Sequence, residues 1–326
     1  MTQIAKYPDV STEGVSQRVN CNYDTNPDDS AYSQYTAGRL ATIHYAGGNC
    51  QYTAPLQGRT TVSGNNYIEM YSYAQAGQVM KKRFRLSKII GTYPSGQNTI
   101  SADLEALYTY DREGKMATQK YPLGTTYSYG YDSLGRPTKV TDTGASQDLV
   151  ATVTYGPAGE LLTMSGTSVG ETRTYNSMGQ LTTLQGLNGV NLTYNYLAAG
   201  ANNGQIASQY DVASGETVAY AYDSLKRLSS ASSNQGWGQG FAYDGFGNLT
   251  AKSALSGTPP VGSYPADAYN RLAGVAYDSN GNQLAANGSA LTYDVSNRMT
   301  SSTASSLQGL YEYDAGNKRK RITKPS

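Results

Sequence analysis

The sequence predicts an all-β chain of tandem antiparallel β-hairpins, on three observations. A short motif recurs: Tyr-x-Tyr-Asp, two variable residues, Gly, a polar residue and an apolar one. Its anchor tyrosines at 110, 131, 155, 175, 196, 222 and 243 lie 20 to 26 residues apart, as in a repeat array. Tyrosine also alternates with other residues before each turn, the two-residue period of a strand. Helical periodicity is nearly absent, and its best stretch, Ala102 to Leu107, runs straight into alternating Tyr108 and Tyr110.

Each hairpin is read in the same order. The incoming strand ends on an anchor Tyr, as in Tyr110-Asp111 with Gly114, Tyr131-Asp132 with Gly135, Tyr243-Asp244 with Gly247 and Tyr277-Asp278 with Gly281. In Tyr222-Asp223, Lys226 takes the Gly place. Weaker copies keep the Tyr and the Gly: Tyr73/Gly77, Tyr155/Gly159 and Tyr175/Gly179. Asn takes the Gly place near the end, in Tyr293-Asp294/Asn297 and Tyr313-Asp314/Asn317. The Asp or Asn side chain bonds its own backbone, and Gly or Asn accepts a positive φ, which together make a tight turn. The apolar residue after the turn opens the return strand; Val79, Met116, Leu161, Leu181, Leu228, Leu249, Leu284 and Met299 fill that place. Its cross-strand contact with the Tyr contributes roughly 0.2–1 kcal/mol. Two copies are stretched: Tyr23-Asp24 meets Gly38-Arg39-Leu40 across a polar insertion, and Tyr194-Asn195-Tyr196 meets Gly204-Gln205-Ile206 late.

These readings divide the chain into an irregular lead-in at 1–65, a hairpin array at 66–322 and a tail at 323–326. Thr92 to Gln97 reads as a long connection, and Ser253 to Tyr264, with Pro259-Pro260, as the clearest later loop.

Composition sets limits on function. The 326 residues include 30 Tyr but only 3 Phe and 1 Trp. A hydrophobic share of 38% together with 36 Gly is a globular level, and 15% charged residues is too few for intrinsic disorder. With 25 basic and 24 acidic residues the net charge is +1, so no global field attracts nucleic acid. No run is long and apolar enough for a transmembrane helix, and the N-terminus lacks the apolar segment of a signal peptide. The Tyr excess implies a sheet with one half-wet aromatic face: each ring is expected to stack on its equivalent in the next hairpin while the hydroxyl reaches water or a carbonyl. Cys21 and Cys50 are candidates for one disulfide, which suits an oxidising compartment; two unpaired thiols are the alternative.

The residues quoted above resemble the YD repeats of RHS proteins, relatives of which include the shell subunits of bacterial insecticidal toxin complexes and the teneurins. The resemblance covers roughly residues 20 to 322. It implies that the hairpins join into one strip of sheet spiralling into part or all of a hollow shell, in a secreted or cell-surface bacterial protein whose export signal lies outside this chain. Larger relatives enclose a toxin polypeptide and carry paired Asp-Pro motifs linked to self-cleavage. No Asp-Pro dipeptide occurs here, and no cargo domain follows Tyr311-Glu312-Tyr313-Asp314. The chain is accordingly expected to be a segment of a larger protein or a small member with exposed ends.

Catalytic candidates are few. His44 is the only histidine, so any nucleophilic dyad or triad must use it; its alternating strand context favours a packed or solvated role. One His and two Cys do not supply a structural zinc site. The repeated aspartates offer one carboxylate per turn, unlike a calcium loop, and read as turn caps. Lys81-Lys82-Arg83-Phe84-Arg85 and Lys318-Arg319-Lys320-Arg321 split their charges between two strand faces, which does not make a nucleic-acid patch. Gly236-Trp237-Gly238-Gln239-Gly240 lacks the βαβ setting of a phosphate loop. Asn191, Asn248 and Asn287 begin formal glycosylation sequons that carry little weight in an Asn/Ser/Thr-rich chain.

The leading expectation is a non-catalytic structural shell segment with no cofactor or metal. One alternative is a glycan- or surface-ligand-binding module using tyrosine ladders. Another is self-association through open sheet edges. Expected partners are other copies or further repeats of a parent protein, a glycan, or an enclosed polypeptide.

Overall fold

Alternating Tyr, Thr and branched apolar residues punctuated by Asp…Gly turns leave the backbone little choice but short antiparallel strands, and the computed structural model consists of them. It describes residues 2–4, 19–47, 52–53, 60–61, 64–90, 98–198, 200–305 and 307–323. Cys50, the connection at 92–97 and most of the first eighteen residues lie outside the described residues. Helix is limited, among the described residues, to the 3-10 turn Leu187–Gly189. The one helical candidate is part of the strand Asn98–Tyr110.

The chain forms two units, residues 1–126 with 275–326, and residues 127–274. In unit 1, strands Thr2–Ile4, Val19–Tyr23, Leu40–Gly47, Gly64–Tyr73, Val79–Ile90, Asn98–Tyr110 and Met116–Lys120 pair in chain order, each antiparallel to the next. A separate sheet of the same unit runs through Ala285–Ala286, Ser289–Tyr293, Met299–Ala304, Leu307–Tyr313 and Arg319–Thr323. In unit 2, Pro137–Asp142 and Gln147–Val150 lead into a continuous meander from Thr152–Tyr155 to Gly262–Ser263. There the strand Leu249–Ser256 continues into the segment whose Pro-Pro content suggested a loop, because Ala251 and Lys252 find partners in Ser263 and Gly262.

The hairpins whose first strand ends on an anchor Tyr share one irregularity. The register shifts by one residue just before the anchor Tyr, for example at Thr109/Tyr110, Thr154/Tyr155, Ala221/Tyr222 and Glu312/Tyr313. This β-bulge sets the Tyr opposite the first residue of the return strand, giving Tyr73↔Val79, Tyr110↔Met116, Tyr175↔Leu181 and Tyr293↔Met299. At Tyr277 the partner is Gln283 and not Leu284, since the same bulge counts six residues on from the Tyr. The stretched copies obey the rule too, with Tyr23↔Leu40 and Tyr196↔Ile206. Their extra residues loop out without changing the pairing.

A buried core forms only in unit 1, among the described residues, apart from Ala231. On one face of its sheet, the insertion after Asp24 brings Tyr32 onto Ile68 and Met70. On the other face Val19, Tyr45 and Tyr67 pack with Cys21, Ile43, Phe84, Leu86 and Ala315.

Candidate functional site

The recurring junction between successive hairpins is the site this sequence repeats, and it has three parts. The first is the turn. Oδ1 of Asp132 accepts the N–H groups of Leu134 and Arg136, both at 2.9 Å. Asp111, Asp223, Asp244, Asp278 and Asp294 do the same with the residues two and four places on, and Oδ1 of Asp314 accepts from Lys318 N–H. The turn then closes through a positive φ at Gly77, Gly114, Gly135, Gly159, Gly179, Gly247 and Gly281, and at Lys226, Asn297 and Asn317. Backbone N–H donors are the main reason the carboxyls of Asp111, Asp132, Asp223 and Asp267 sit below the usual range. For Asp244 and Asp278 the amides of Asn248 and Asn282 contribute most.

The second part is the tyrosine hydroxyl. Tyr222 Oη donates to the carbonyl of Ile206 at 2.9 Å, and Tyr243 Oη to that of Leu228 at 2.9 Å. Tyr73, Tyr110, Tyr155, Tyr175, Tyr196 and Tyr313 donate in the same way to Leu40, Val79, Pro137, Leu161, Leu181 and Met299. Each acceptor is the residue that the bulge places opposite the previous anchor Tyr. A bulge interrupts the ladder locally, and the next hairpin's hydroxyl supplies a donor there. Phe cannot do this. The bond links neighbours for a net ~0.5–1.5 kcal/mol each.

The third part is the polar residue after the Gly. Arg227 Nε donates to Asp223 Oδ2 at 2.7 Å, its guanidinium lies 4.7 Å over the Tyr243 ring, and Nη1 donates to the Asp244 carbonyl at 3.1 Å. Arg136 lies over Tyr155 at 4.5 Å, and Arg298 over Tyr313 at 5.1 Å. Asn282 reaches both Asp278 Oδ2 and Asn297 Oδ1 at 2.8 Å. The direct ring-on-ring stacking expected between repeats therefore gives way to a guanidinium at these anchors. Equivalent tyrosines stand two strands apart, about 9.5 Å, beyond the ~4.5–7 Å of aromatic pairs. Ring stacks occur where adjacent strands carry the rings, Tyr45 on Tyr67 at 5.4 Å and Tyr67 on Phe84 at 5.5 Å.

Sequence reasoning missed the bridging role of this third position, although Arg, Asn, Gln and Lys dominate it. It also missed a repeat that has Ala266 in the Tyr place. Asp267 Oδ1 accepts from Tyr269 and Arg271 N–H, Asn270 has φ 62°, and Ala266 bridges Leu272. Asp-x-x-Asn-Arg-Leu was the available signal.

Away from the junctions, His44 sits beneath the insertion with Nε2 2.6 Å from Asp28 Oδ2, tying the insertion to the sheet together with Arg83 and Asp29 at 2.9 Å. The basic run at 81–85 divides as its strand period requires: Arg83 and Arg85 face Glu105 and Asp103, and Lys82 turns to Glu69 on the other face at 2.6 Å. Glu69 is buried. It accepts from Tyr45 Oη at 2.8 Å and Tyr71 Oη at 2.7 Å. Burial pushes its carboxyl upward, but hydrogen bonds from Lys82, Tyr71 and Tyr45 outweigh this and hold it below the usual range. The same burial, reinforced by the carboxylate, raises the hydroxyls of Tyr45 and Tyr71 well above the ordinary phenol value. Cys21 is a free thiol, raised by burial. No group of three or more His, Cys, Asp or Glu forms a metal-ligand set among the described residues. No helix among them is long and apolar enough to cross a membrane.

Residues 110–147 match a family model described as RHS Repeat. That segment is similar to an RHS repeat. The fold of the chain is similar to that of solved structures: the one described as TcdB2-TccC3-Cdc42 matches at TM-score 0.66 and 16% identity, covering 96% of this chain and 20% of that one. TcdB2-TccC3 matches at TM-score 0.66 and 16% identity, covering 95% and 19%. TcdB2-TccC3 without its hypervariable C-terminal region matches at TM-score 0.67 and 16% identity, covering 96% and 19%. The chain thus spans about a fifth of the length of these solved chains. No curated protein matched it.

Proposed function

We propose that this RHS array is a non-catalytic wall segment of a larger exported or cell-surface protein, and that its wall encloses or presents another polypeptide. The observation carrying this reading is the hydroxyl link from eight of the anchor tyrosines to the hairpin before each. Such a link spends the repeated residue on joining hairpins and commits no repeated group to chemistry. The fold shared with TcdB2-TccC3 structures supports the same reading.

A glycan-binding role is less well supported. Arg39, Arg136, Arg227 and Arg298 cover the rings of Tyr73, Tyr155, Tyr243 and Tyr313, which are surfaces a sugar would need for stacking. Small-angle scattering with an electron-microscopy envelope tests the proposal. A thin-walled particle with a solvent-filled interior is expected; a solid particle, or saturable glycan binding lost on Tyr→Phe exchange, would overturn it.

A further inference from the structure

The last hairpin departs from the repeat at the positions by which it docks. In the other hairpins the residue before the anchor Tyr is uncharged, as in Thr109↔Thr118, Thr154↔Thr163, Asn195↔Ser208, Ala221↔Ser230, Ala242↔Ala251 and Thr292↔Ser301. In the hairpin Leu307–Thr323 this pair is Glu312↔Arg321. Glu312 accepts a hydrogen bond from Tyr67 Oη. Lys320 Nζ lies 4.9 Å over the Phe84 ring, 3.9 Å from Glu69 Oε1 and 3.5 Å from Asp314 Oδ2, and Ala315 packs on the Val19, Tyr45 and Tyr67 cluster. The receiving strands and the docked hairpin belong to separate sheets. Complementary charge and aromatic contact therefore specify a union that continuous strand pairing does not.

We propose that this aromatic face is a hairpin-recognition surface with an exchangeable occupant: a second copy of the chain inserts its own 307–323 hairpin there, giving a swapped dimer. Three observations carry it. The chain leaves unit 1 at Thr126 and re-enters at Val275, so the hairpin reaches its seat only after a long excursion, and loop closure of that length favours the chain's own hairpin only weakly. The approach is held by short pairings: the two-residue strand Gly262–Ser263, the isolated bridges Ala266↔Leu272 and Tyr277↔Gln283, and backbone bonds such as Tyr264 N–H to the Thr250 carbonyl, Ala273 N–H to that of Pro265 and Leu284 N–H to that of Ala276. And every contact at the seat is available unchanged from an identical hairpin, which makes exchange a low-energy route to a dimer. This inference stands whether or not the array encloses a polypeptide.

The test uses full-length protein. Unlabelled and heavy-nitrogen-labelled chains are unfolded together and refolded at ~5 to ~500 µM, a range over which mass action raises the dimer share several-fold. A zero-length carbodiimide then couples Lys320 to Glu69, and the linked peptides are read by mass spectrometry. Mixed-label Glu69–Lys320 links concentrated in the dimer fraction are expected, and K320E, which weakens the seat equally in monomer and swapped dimer, should leave the dimer share of the folded chain unchanged. A strict monomer at every concentration overturns the proposal. So does a dimer whose Glu69–Lys320 links are all same-label, because that dimer is joined by sheet edges. The isotope readout needs no variant, so a K320E chain that fails to fold leaves the test intact.

Discussion

In unit 1 the sheet is covered on both faces, and Tyr32, Tyr45, Tyr67, Ile68 and Met70 lose nearly all contact with solvent. In unit 2 the same hairpin carries no second layer: along Gly170–Tyr175 and Glu216–Tyr222 the Tyr-bearing face is half-buried and the alternate face is largely exposed, and Ala231 alone among its described apolar residues is buried. Even the turn tips differ. Unit 2 presents Leu134, Met178, Leu225, Phe246 and Tyr269 to solvent, where unit 1 has Ala76, Glu113, Asn280, Ser296 and Gly316 and, as an exception, the exposed Leu123. One module is thus held in two ways, by burial where another segment is available and by sideways hydrogen bonds where none is.

The largest effect should come from the unit 1 core. Met70→Ala removes a fully buried side chain and should destabilise unit 1 by about 2–5 kcal/mol. Hydrogen exchange should rise across 64–90 and leave 170–256 unchanged; equal loss in both units would erase the distinction drawn here. Next comes Glu69→Ala, which strands Lys82 and two tyrosine hydroxyls. A cost of about 2 kcal/mol is expected in chemical denaturation, below the full range for broken buried pairs because Lys82 is one-third exposed.

In unit 2, Tyr222→Phe should cost about 1 kcal/mol, and the same change at Tyr175 and Tyr243 should add nearly independently. An unchanged urea midpoint in the triple variant would show that the hydroxyl links do not hold the wall. Acid sharpens the contrast. The folded-state carboxyls of Asp132, Asp223, Asp244 and Asp267 are depressed, so their contribution is complete above the ordinary Asp value. It is lost as pH falls from about 4 through the lower folded values. Amide exchange at 152–256 should therefore accelerate in that window; at 64–73 the depressed Glu69 gives way as well, but the buried core around Met70 is untouched by acid and limits the rise. The smallest effect belongs to Phe246→Ser at an exposed turn tip: stability should stay within about 0.5 kcal/mol, measured by thermal melting.

The hairpin, its turn and its register were legible in the sequence because each depends on residues at most six apart. Asp223, Lys226 and Leu228 define one complete unit without reference to anything distant. The destination of each tyrosine hydroxyl was half legible, since water or a carbonyl was expected but not which carbonyl. The docking of Lys320 near Glu69 and of Tyr32 over Ile68 left no local signature. Those contacts join segments by shape and charge across long stretches of chain, and periodicity carries no information about them. Arg227 shows the intermediate case: its bond to Asp223 is local, while its place over Tyr243 needs the neighbouring hairpin.

The tyrosine link has a direction. Each hydroxyl donates toward the N-terminal neighbour, so the acceptor carbonyl is made before the donor. As the ribosome extends the chain, an emerging hairpin linked in this way meets a finished acceptor and adds to it; the face around Tyr67 and Glu69, which waits for the 307–323 hairpin, is the exception. Within each sheet the array can therefore grow in the order of translation.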